Sequence, residues 1–572
     1  MYPTQTSLIP VTVTIAKFYE LILHKYGLVS LLFGHHWYPY WYLGVPLRYI
    51  SGPIVPLFTI LVHAITPSTS IFNIVTFIVV LSMVLSSFGW AKLVHLITKD
   101  KKMAILVFLV MLVSPWKYFT GLVFDEGTTM LAKACVPYVL IWVLTYLRNG
   151  KKSWFWGSGL AMGITLLVNS SILPSIFVGV LAIAFGEAYH EAKFSNLQYM
   201  IANILKIIFL GIVISTLWYG PGYWLNILSN PSIGGASSFK VLIRIFELLR
   251  AILPLITAIV TVYMWKKIQN KYVIFACIWL FTFLFLTIFR FLGNPQFWQD
   301  WISWFYELEI GLILILAGLA QNRRKLLILL LLPAVMVFVI YNKLGRPQLF
   351  SDSFSPGIES LGALEKIVPS GQRVFVSGSA VFWLDALHNM SQVRGGQDEV
   401  ATNLHWDDAS YQLREDSDSE KSKNWLLAMG VQYVLVHGDT SAEYYHDFKD
   451  PTKWLEVGKL VWVDKGDSIY EIESSQAWIV DLEKLYSQKL SLEGYIAAQK
   501  RPVADYKWID TDKIEINSGT VSSGEGIVMA VSYDKRWKAS SRGVRISQDP
   551  MGNMVVVSSN PHDLEQLTLF YK

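Results

Sequence analysis

The hydrophobic residues of this chain are concentrated in one part of the sequence. From about residue 54 to residue 343 nearly every window of twenty residues is apolar, whereas after residue 345 Asp, Glu, Lys, Ser and Gly return to the frequencies of water-soluble proteins. About twenty consecutive apolar residues can cross a bilayer as a helix. The pattern therefore predicts a membrane-embedded part followed by a part in water.

The apolar part divides into about ten segments of spanning length, which predicts a multi-pass α-helical membrane domain. The predicted spans lie near residues 70–97, 103–121, 129–148, 153–170, 172–188, 200–219, 244–266, 272–291, 300–320 and 325–343. Two shorter segments, residues 8–24 and 53–66, precede them. At about 1.5 Å per residue neither crosses a hydrocarbon core about 30 Å thick, so both are predicted to be helices in the membrane interface.

The polar part changes its pattern along its length. Helix and apolar strand alternate over residues 358–377 and again over residues 423–437, which predicts a small α/β layer. From about residue 456 short alternating strands separated by turns predict a β-sandwich. The predicted domains are a first outer loop with two interfacial helices (1–69), the transmembrane helical domain (70–344), an extracytoplasmic α/β domain (345–478) and an extracytoplasmic β-sandwich domain (479–572).

The basic residues predict which side of the membrane each loop occupies. Loops between alternate apolar segments contain thirteen of them, namely Lys99, Lys101, Lys102, Arg148, Lys151, Lys152, Lys193, Lys266, Lys267, Lys271, Arg323, Arg324 and Lys325. The other set of loops contributes only Lys240. Because basic loops stay cytoplasmic, residues 1–69 and everything after residue 345 are predicted to lie outside a prokaryotic plasma membrane. For a chain that starts outside, we expect a natural amino terminus further upstream or a missing first transmembrane helix.

The composition excludes some partners. The formal net charge is +5, but the basic residues form small clusters separated by apolar segments, with no continuous stripe for a nucleic acid. The two cysteines, Cys135 and Cys277, both lie in apolar segments, so the polar part has no disulfide. The expected partners are therefore the lipid bilayer and a ligand of the outer surface other than a nucleic acid.

Ionisable side chains at a membrane are functional candidates because they are costly to bury. Asp125 and Glu126 are adjacent carboxylates at the start of a predicted helix, in an outer loop with no other charge. Such a pair can hold a divalent cation, Mg or Mn, or act as an acid or base. The alternative is a helix N-cap followed by a first-turn carboxylate that the helix dipole stabilises.

Three arginines near the outer boundary are candidates for binding an anionic headgroup. Arg244 and Arg250 begin a predicted spanning helix, and two guanidinium groups suit a phosphate or pyrophosphate. The alternative is a helix end whose arginines extend to the interface. Arg290 ends another span and either binds substrate or is neutralised by Glu307 and Glu309 across neighbouring helices.

An aromatic segment, residues 34–53, separates the two predicted interfacial helices. Its rings outnumber those of an ordinary linker, and its Gly and Pro residues exclude a long helix. Because Trp and Tyr favour the interface between lipid and water, the segment is predicted to be a rigid surface loop lying on the membrane. Its candidate substrate-binding residues are Trp37, Tyr38, Trp41, Tyr42 and Arg48.

Several motifs in the chain occur together in a known group of membrane proteins. They are Trp37-Tyr38-Pro39-Tyr40-Trp41-Tyr42-Leu43-Gly44-Val45-Pro46-Leu47, Asp125-Glu126-Gly127 before an Ala-Lys-Ala-Cys-Val-Pro helix, Val393-Arg394-Gly395-Gly396, Tyr433–Gly438 and Tyr533–Lys538. This order of parts resembles the polytopic bacterial and archaeal proteins labelled 6-pyruvoyl-tetrahydropterin synthase-related, which are similar to YfhO-type proteins and to the GT-C glycosyltransferase superfamily. The label implies no pterin chemistry.

The resemblance implies a GT-C-type enzyme that moves a sugar from a polyprenyl-phosphate donor to a lipid-linked or cell-surface glycan acceptor. Asp125 and Glu126 match an acidic position of the second outer loop and are implied as base or metal ligands. Such enzymes usually also carry an acidic residue in the first outer loop, whereas this chain has none before Glu20. The alternative function is a non-catalytic membrane protein whose outer domain binds envelope glycan or protein.

Overall fold

The chain forms two compact units in a computed structural model, which describes residues 7–114, 117, 121, 128–190, 194–229, 270–291, 301–322, 359–487 and 491–572. The helical unit consists of Met1–Ala16, Ser51–Ser229 and Ile233–Asp352. The sheet unit consists of Lys17–Ile50, Asn230–Ser232 and Ser353–Lys572. Residues 1–69, grouped as one outer loop in the prediction, are thus divided between the two units. The predicted domain boundaries at 344 and 478 stay predictions.

The described part of the helical unit is mainly α-helical. Helix α1 (Ile9–Phe33) begins in this unit, continues in the sheet unit and is interrupted at Gly27, whose φ is 79°. The short α2 (Leu47–Ile50) belongs to the sheet unit. The helical unit then contains α3 (Ile54–Ile65), α4 (Ile71–Thr98), α5 (Lys101–Leu112), α6 (Thr128–Asn149), α7 (Lys152–Val168), α8 (Leu173–His190), α9 (Phe194–Tyr219), α10 (Pro221–Ser229), α11 (Lys271–Phe291) and α12 (Trp301–Asn322).

Within the described residues, four helical stretches are long and apolar enough to cross a membrane. They are Ile71–Thr98, Thr129–Asn149, Ser170–Ala188 and Leu197–Tyr219. Ile54–Ile65 and Lys271–Thr287 are apolar but shorter. The predicted spans 244–266 and 325–343 lie outside the described residues, so the total of about ten spans, and their sidedness, stay predictions.

A tight turn and close helix contacts build the core of the helical unit. Lys99 ends α4 in the left-handed conformation, and the Asp100 side chain accepts a hydrogen bond from the Lys102 amide at 2.8 Å, which caps α5. Gly89 lets α4 approach α6, because a Cβ atom there would lie 2.6 Å from the Pro137 Cγ atom. These contacts bring α4, α5 and α6 together, and α11 packs against α8 and α12.

The sheet unit begins with a small hairpin, β1 (Trp37–Tyr38) and β2 (Val45–Pro46). Its first large sheet is formed by β3 (Arg373–Val376), β4 (Ser391–Gln392), β5 (Tyr433–His437), β6 (Lys459–Asp464) and β7 (Asp467–Glu471), in the order β4-β3-β5-β7-β6. Strand β3 runs parallel to β4 and β5, and β7 is antiparallel to β5 and β6. Helices α13 (Glu359–Ile367), α14 (Ala380–Leu387), α15 (Trp406–Glu415), α16 (Ser419–Ala428) and α17 (Trp454–Val457) accompany it.

Two further antiparallel sheets follow in the sheet unit. Their elements are β8 (Ala477–Asp481), α18 (Leu482–Leu485), α19 (Leu492–Ala497), β9 (Gln499–Pro502), β10 (Asp505–Asp510), β11 (Lys513–Asn517), β12 (Glu525–Ser532), β13 (Trp537–Ala539), β14 (Val544–Gln548), β15 (Asn553–Ser558) and β16 (Gln566–Tyr571). The strand orders are β14-β15-β12-β8-β9 and β10-β11-β16-β13. One hydrophobic core contains residues from both sheets, such as Ile527 and Leu569. The hydropathy pattern predicts this order, a helical region followed by a region of β-sheets.

Candidate functional site

Among the described residues of the helical unit, two lysines and two glutamates are buried. Lys117, Lys133 and Glu307 are each 1% exposed and Glu309 is 7% exposed. Buried charges are costly unless they are paired and hydrogen-bonded, and in these four residues two positive charges accompany two negative ones. We call the four residues the buried charge cluster. Their position among apolar helices makes the cluster the candidate functional site of the helical unit.

Glu307 connects four helices of the helical unit. The Lys133 Nζ atom, on α6, lies 3.5 Å from the Glu307 Oε2 atom, on α12. The Ser175 hydroxyl, in the first turn of α8, donates to Glu307 Oε1 at 3.0 Å, and the Trp279 indole N–H, on α11, donates to the Glu307 carbonyl at 2.8 Å. The carboxylate is therefore both charge-paired and hydrogen-bonded, which lowers the cost of its burial.

Lys133 also contacts an aromatic ring. Its Nζ atom lies 5.0 Å from the centroid of the Tyr306 ring, close enough for cation–π attraction. The Tyr306 hydroxyl in turn is hydrogen-bonded to the Ser86 hydroxyl on α4 at 2.6 Å. These contacts add α4 to the group of helices that meet at Lys133.

Lys117 and Glu309 tie the chain that follows α5 to its neighbours. The Lys117 ammonium donates to the Met83 carbonyl at 3.1 Å and to the Ser87 hydroxyl at 2.5 Å, both on α4. The Ser114 hydroxyl donates to the Glu309 carboxylate on α12. The beginning of the segment between α5 and α6 is therefore held by α4 and α12.

The buried charge cluster is contacted from both sides of the segment between α5 and α6. Ser114 lies just after the end of α5 and Lys133 lies in α6, and both side chains reach glutamates of α12. The predicted catalytic and metal-binding residues, Asp125 and Glu126, belong to the same segment in sequence but lie outside the described residues. Since the cluster itself is closed to solvent, what it can do chemically is hold α4, α6, α8, α11 and α12 together.

Of the four predicted arginines, Arg48 alone has a described side chain. Arg244 and Arg250 lie outside the described residues, and Arg290 lies in α11 with its side chain outside them. The Arg48 guanidinium donates to the Leu32 carbonyl at 3.0 Å within the sheet unit, and burial lowers the pKa of Arg48. Substrate binding by these arginines stays a prediction.

Binding of a divalent cation also stays a prediction. Among the described residues, no group of three or more His, Cys, Asp or Glu side chains could hold a metal ion. The two glutamates of the buried charge cluster are bound by Lys133 and Ser114 and are well enclosed. Asp125 and Glu126 therefore remain the proposed ligands.

The four candidate rings of the aromatic segment lie in the core of the sheet unit. The rings of Trp37, Tyr38, Trp41 and Tyr42 are all 0% exposed. The sequence predicts that they lie on the membrane interface, whereas the structure encloses them in protein because the chain supplies a partner for each ring. Their contact with substrate stays a prediction, and it requires the rings to leave this core.

The partners of these rings come from distant parts of the sheet unit. The Trp37 ring lies 5.5 Å from the Trp537 ring and 5.0 Å from the Tyr571 ring, centroid to centroid. The Tyr42 ring lies 4.9 Å from that of Trp406. Edge-to-face aromatic pairs at such distances contribute about 0.5–1.5 kcal/mol each beyond the area they bury. The segment therefore joins the α/β sheet to the later sheets.

Trp41 is held by a buried carboxylate. The Asp385 side chain accepts hydrogen bonds from the Trp41 indole N–H at 2.7 Å, the Gln392 amide at 2.8 Å and the Met390 backbone N–H at 3.1 Å. Burial raises the pKa of Asp385 to about 7, although the three hydrogen bonds act to lower it. The carboxyl group therefore titrates near neutral pH in the folded protein.

This titration predicts a pH-dependent stability. The folded state holds the Asp385 proton up to about pH 7, whereas the unfolded state releases it near pH 4. Because the unfolded state is the one that ionises between these two values, the free energy of unfolding falls as the pH rises through this window, by up to about 1.4 kcal/mol per pH unit. Asp385→Asn removes the titration. We expect the stability of Asp385→Asn relative to the natural chain to increase from pH 5 to pH 8, measured by urea unfolding. A difference that is constant with pH would contradict the assignment.

Comparison with known proteins gives distant structural likenesses only. No family profile and no curated protein matches the chain. The Archaeoglobus fulgidus oligosaccharyltransferase in complex with Zn and sulfate is 11% identical, with a TM-score of 0.46 over 82% of this chain and 69% of that one. The same organism's AglB with an inhibitory peptide and a dolichol-phosphate is 10% identical, with a TM-score of 0.45 over 82% and 70%.

A second group of similar structures is mycobacterial. The arabinofuranosyltransferase AftD is 12% identical, with a TM-score of 0.41 over 100% of this chain and 55% of that one. This chain therefore spans little more than half the length of AftD. At such low identity and TM-score, these likenesses assign no activity to the chain, and its function has to be argued from its own residues.

The sequence pointed to part of the buried charge cluster. Glu307 and Glu309 are candidates from the sequence, in which Arg290 either neutralises them or binds substrate, and Lys133 is the described charged partner of Glu307. Lys117 and Lys133 are not among the sequence candidates. A signal existed, since Lys133 is an ionisable residue inside a predicted span, and such residues are functional candidates by default.

Proposed function

We propose that this chain is a membrane glycosyltransferase of the GT-C type, which moves a sugar from a polyprenyl-phosphate donor to a lipid-linked or cell-surface glycan. The observation that carries the proposal is the buried charge cluster: Ser114 and Lys133, which flank Asp125 and Glu126 in the sequence, both bind glutamates of α12. The spanning-length helices and the sequence resemblance also support it.

In the proposed reaction an acceptor hydroxyl attacks the anomeric carbon of the donor sugar and the polyprenyl phosphate leaves. Asp125 or Glu126 accepts the hydroxyl proton as the new bond forms. Arg244, Arg250 and Arg290 are the proposed ligands of the donor phosphate, since guanidinium groups form paired hydrogen bonds with its oxygens. Adjacent carboxylates are ligands that suit Mg or Mn, and a cation bound there supplies positive charge for the leaving phosphate.

The buried charge cluster has a positioning role in this proposal. Catalytic carboxylates have to stay within about 0.5 Å of the productive geometry, and a loop does so only when it is anchored. Ser114 and Lys133 provide such anchors on either side of the segment, through Glu309 and Glu307. The charges of the cluster thereby act on catalysis through the segment rather than by touching substrate.

The proposal predicts loss of transfer when either carboxylate is replaced. Membranes containing the full chain are supplied with radiolabelled polyprenyl-phosphate sugars, and transfer is followed for the natural chain, Asp125→Asn and Glu126→Gln. We expect a decrease of about 100-fold or more in at least one variant, the size typical for removal of a general base. Asp100→Asn is the matched control, because Asn can replace the Asp100 helix cap and transfer should be unchanged.

Two outcomes would count against the proposal. Unchanged transfer in both carboxylate variants would remove Asp125 and Glu126 from the mechanism. No transfer by the natural chain with any donor would favour the alternative, a non-catalytic protein whose polar domain binds envelope glycan or protein.

A further inference from the structure

A groove lies between α3 and the beginning of α4 in the helical unit. Its volume is about 330 Å³, at the lower end of the range for small-molecule pockets, roughly 300–1,000 Å³. Its walls are apolar, and its polar side chains come from the connection between the two helices and from the first turn of α4. The lining residues are Phe58 and Val62 of α3, Thr66 and Thr69 of the connection, and Asn73, Ile74 and Phe77 of α4.

The connection that closes the groove is held by hydrogen bonds. The Thr66 amide donates to the Val62 carbonyl at 2.8 Å, which ends α3, and the Thr69 amide donates to the Thr66 carbonyl at 3.0 Å. The Ser70 hydroxyl accepts from the Asn73 amide at 3.3 Å and caps α4. The groove is therefore preformed, which reduces the entropic cost of filling it.

The groove opens onto an apolar stripe of α4. Along this helix five large side chains are between 37 and 57% exposed, at the spacing of one helix face: Phe77, Leu81, Val84, Leu85 and Phe88. Helix α4 is long and apolar enough to cross a membrane, so this stripe is the face that meets lipid chains. Phe77 belongs both to the stripe and to the groove, which makes the groove continuous with the lipid-facing surface.

The chemistry of the lining selects among membrane molecules. None of the seven lining residues is charged, so the groove offers no cation to a phosphate. The Thr69 hydroxyl and the Asn73 carboxamide instead match uncharged oxygen atoms, such as those at the ester or ether linkage of a lipid, whereas the Thr66 hydroxyl donates to the Val62 carbonyl at 2.8 Å. The apolar walls match a hydrocarbon chain attached to that linkage.

We propose that the groove between α3 and α4 binds one hydrocarbon chain of a bilayer lipid, with the linkage oxygens of that lipid beside Thr69 and Asn73. The site is structural in character and does not rest on the proposed glycosyl transfer. A lipid held there fills the space between a short helix, which cannot span the membrane alone, and the first spanning helix.

The test is photolabelling of the full chain in nanodiscs of phosphatidylcholine that contain a phosphatidylcholine with a diazirine on one acyl chain. Labelled peptides are identified by mass spectrometry. We expect stronger labelling around Phe58 and Phe77 than around Phe88, and a decrease of about tenfold at the first two positions in Val62→Trp, which fills the groove. Labelling around Phe88 should not change, which also reports that the variant is folded.

Two controls complete the experiment. Leu61→Trp places the same ring on α3 at an exposed position that does not line the groove, and its labelling should match the natural chain. Thr69→Trp fills the groove from the connection and should repeat the effect of Val62→Trp. Equal labelling of all positions, or labelling that neither filling variant reduces, would overturn the proposal. Labelling of the groove by a diazirine polyprenyl phosphate but not by phosphatidylcholine would overturn the assignment to a bilayer lipid.

Discussion

Lys133→Met is expected to lower the stability of the helical unit by about 3–5 kcal/mol, the usual cost of removing one partner of a buried ion pair. Methionine fills a similar volume, but it leaves the Glu307 carboxylate buried without the ammonium group that lies 3.5 Å away. The Tyr306 ring loses its cation as well. The measurement is the thermal unfolding midpoint of the purified full chain in detergent, followed by far-UV circular dichroism.

A double variant separates charge from packing in this experiment. If the cost of Lys133→Met is the unpaired carboxylate, then Lys133→Met combined with Glu307→Gln should recover most of the lost stability, since two neutral side chains replace two charges. Lys152→Met, at an exposed position of α7, makes the same change without burial and should shift stability by about 0.5 kcal/mol or less. Additive losses in the double variant would contradict the pairing.

The same variants probe the proposed positioning role. Where the double variant is stable but glycosyl transfer stays low, the charges themselves are needed to hold the segment that contains Asp125 and Glu126. Where transfer returns with stability, the cluster acts through folding alone. Stability and transfer are measured separately for each variant, and the exposed Lys152→Met is the control for both readouts.

Local sequence patterns predict where helices and strands lie better than they predict which side chains pair between them. The span predicted near 70–97 is observed as Ile71–Thr98, and the strand predicted at 373–377 as Arg373–Val376. Both depend on hydrophobic runs and caps that lie within the element itself. The pairing of Lys133 with Glu307 joins two helices far apart in sequence, and no local pattern contains that information.

The aromatic segment shows why one local pattern can have two structural outcomes. Trp and Tyr rings with a polar tip suit a membrane interface, and they equally suit a protein core that offers a hydrogen bond to the tip. In this chain Asp385 provides such an acceptor for Trp41, and it lies 344 positions away. The local pattern therefore predicts rings with amphipathic surroundings, but it cannot distinguish lipid from protein as those surroundings.

Gly44→Ala is expected to destabilise the sheet unit strongly, because two effects coincide at this position. Gly44 has a φ of 92°, in the left-handed region, which costs about 1–2 kcal/mol for a residue with a side chain. A Cβ atom there would also lie 2.3 Å from the Trp37 Nε1 atom. The Trp37 ring cannot yield easily, since it packs against Trp537 and Tyr571.

Gly524→Ala is the matched control that isolates the steric effect. Gly524 lies in the same unit with a φ of 83°, but no atom lies within 4 Å of the position its Cβ would occupy. We expect Gly524→Ala to cost about 1–2 kcal/mol and Gly44→Ala to cost about 1–3 kcal/mol more, because overpacking adds to the conformational cost. Urea unfolding of the full chain, followed by near-UV circular dichroism, measures both. Equal costs would mean that Trp37 is free to move, which would contradict the placement of the aromatic segment in the core.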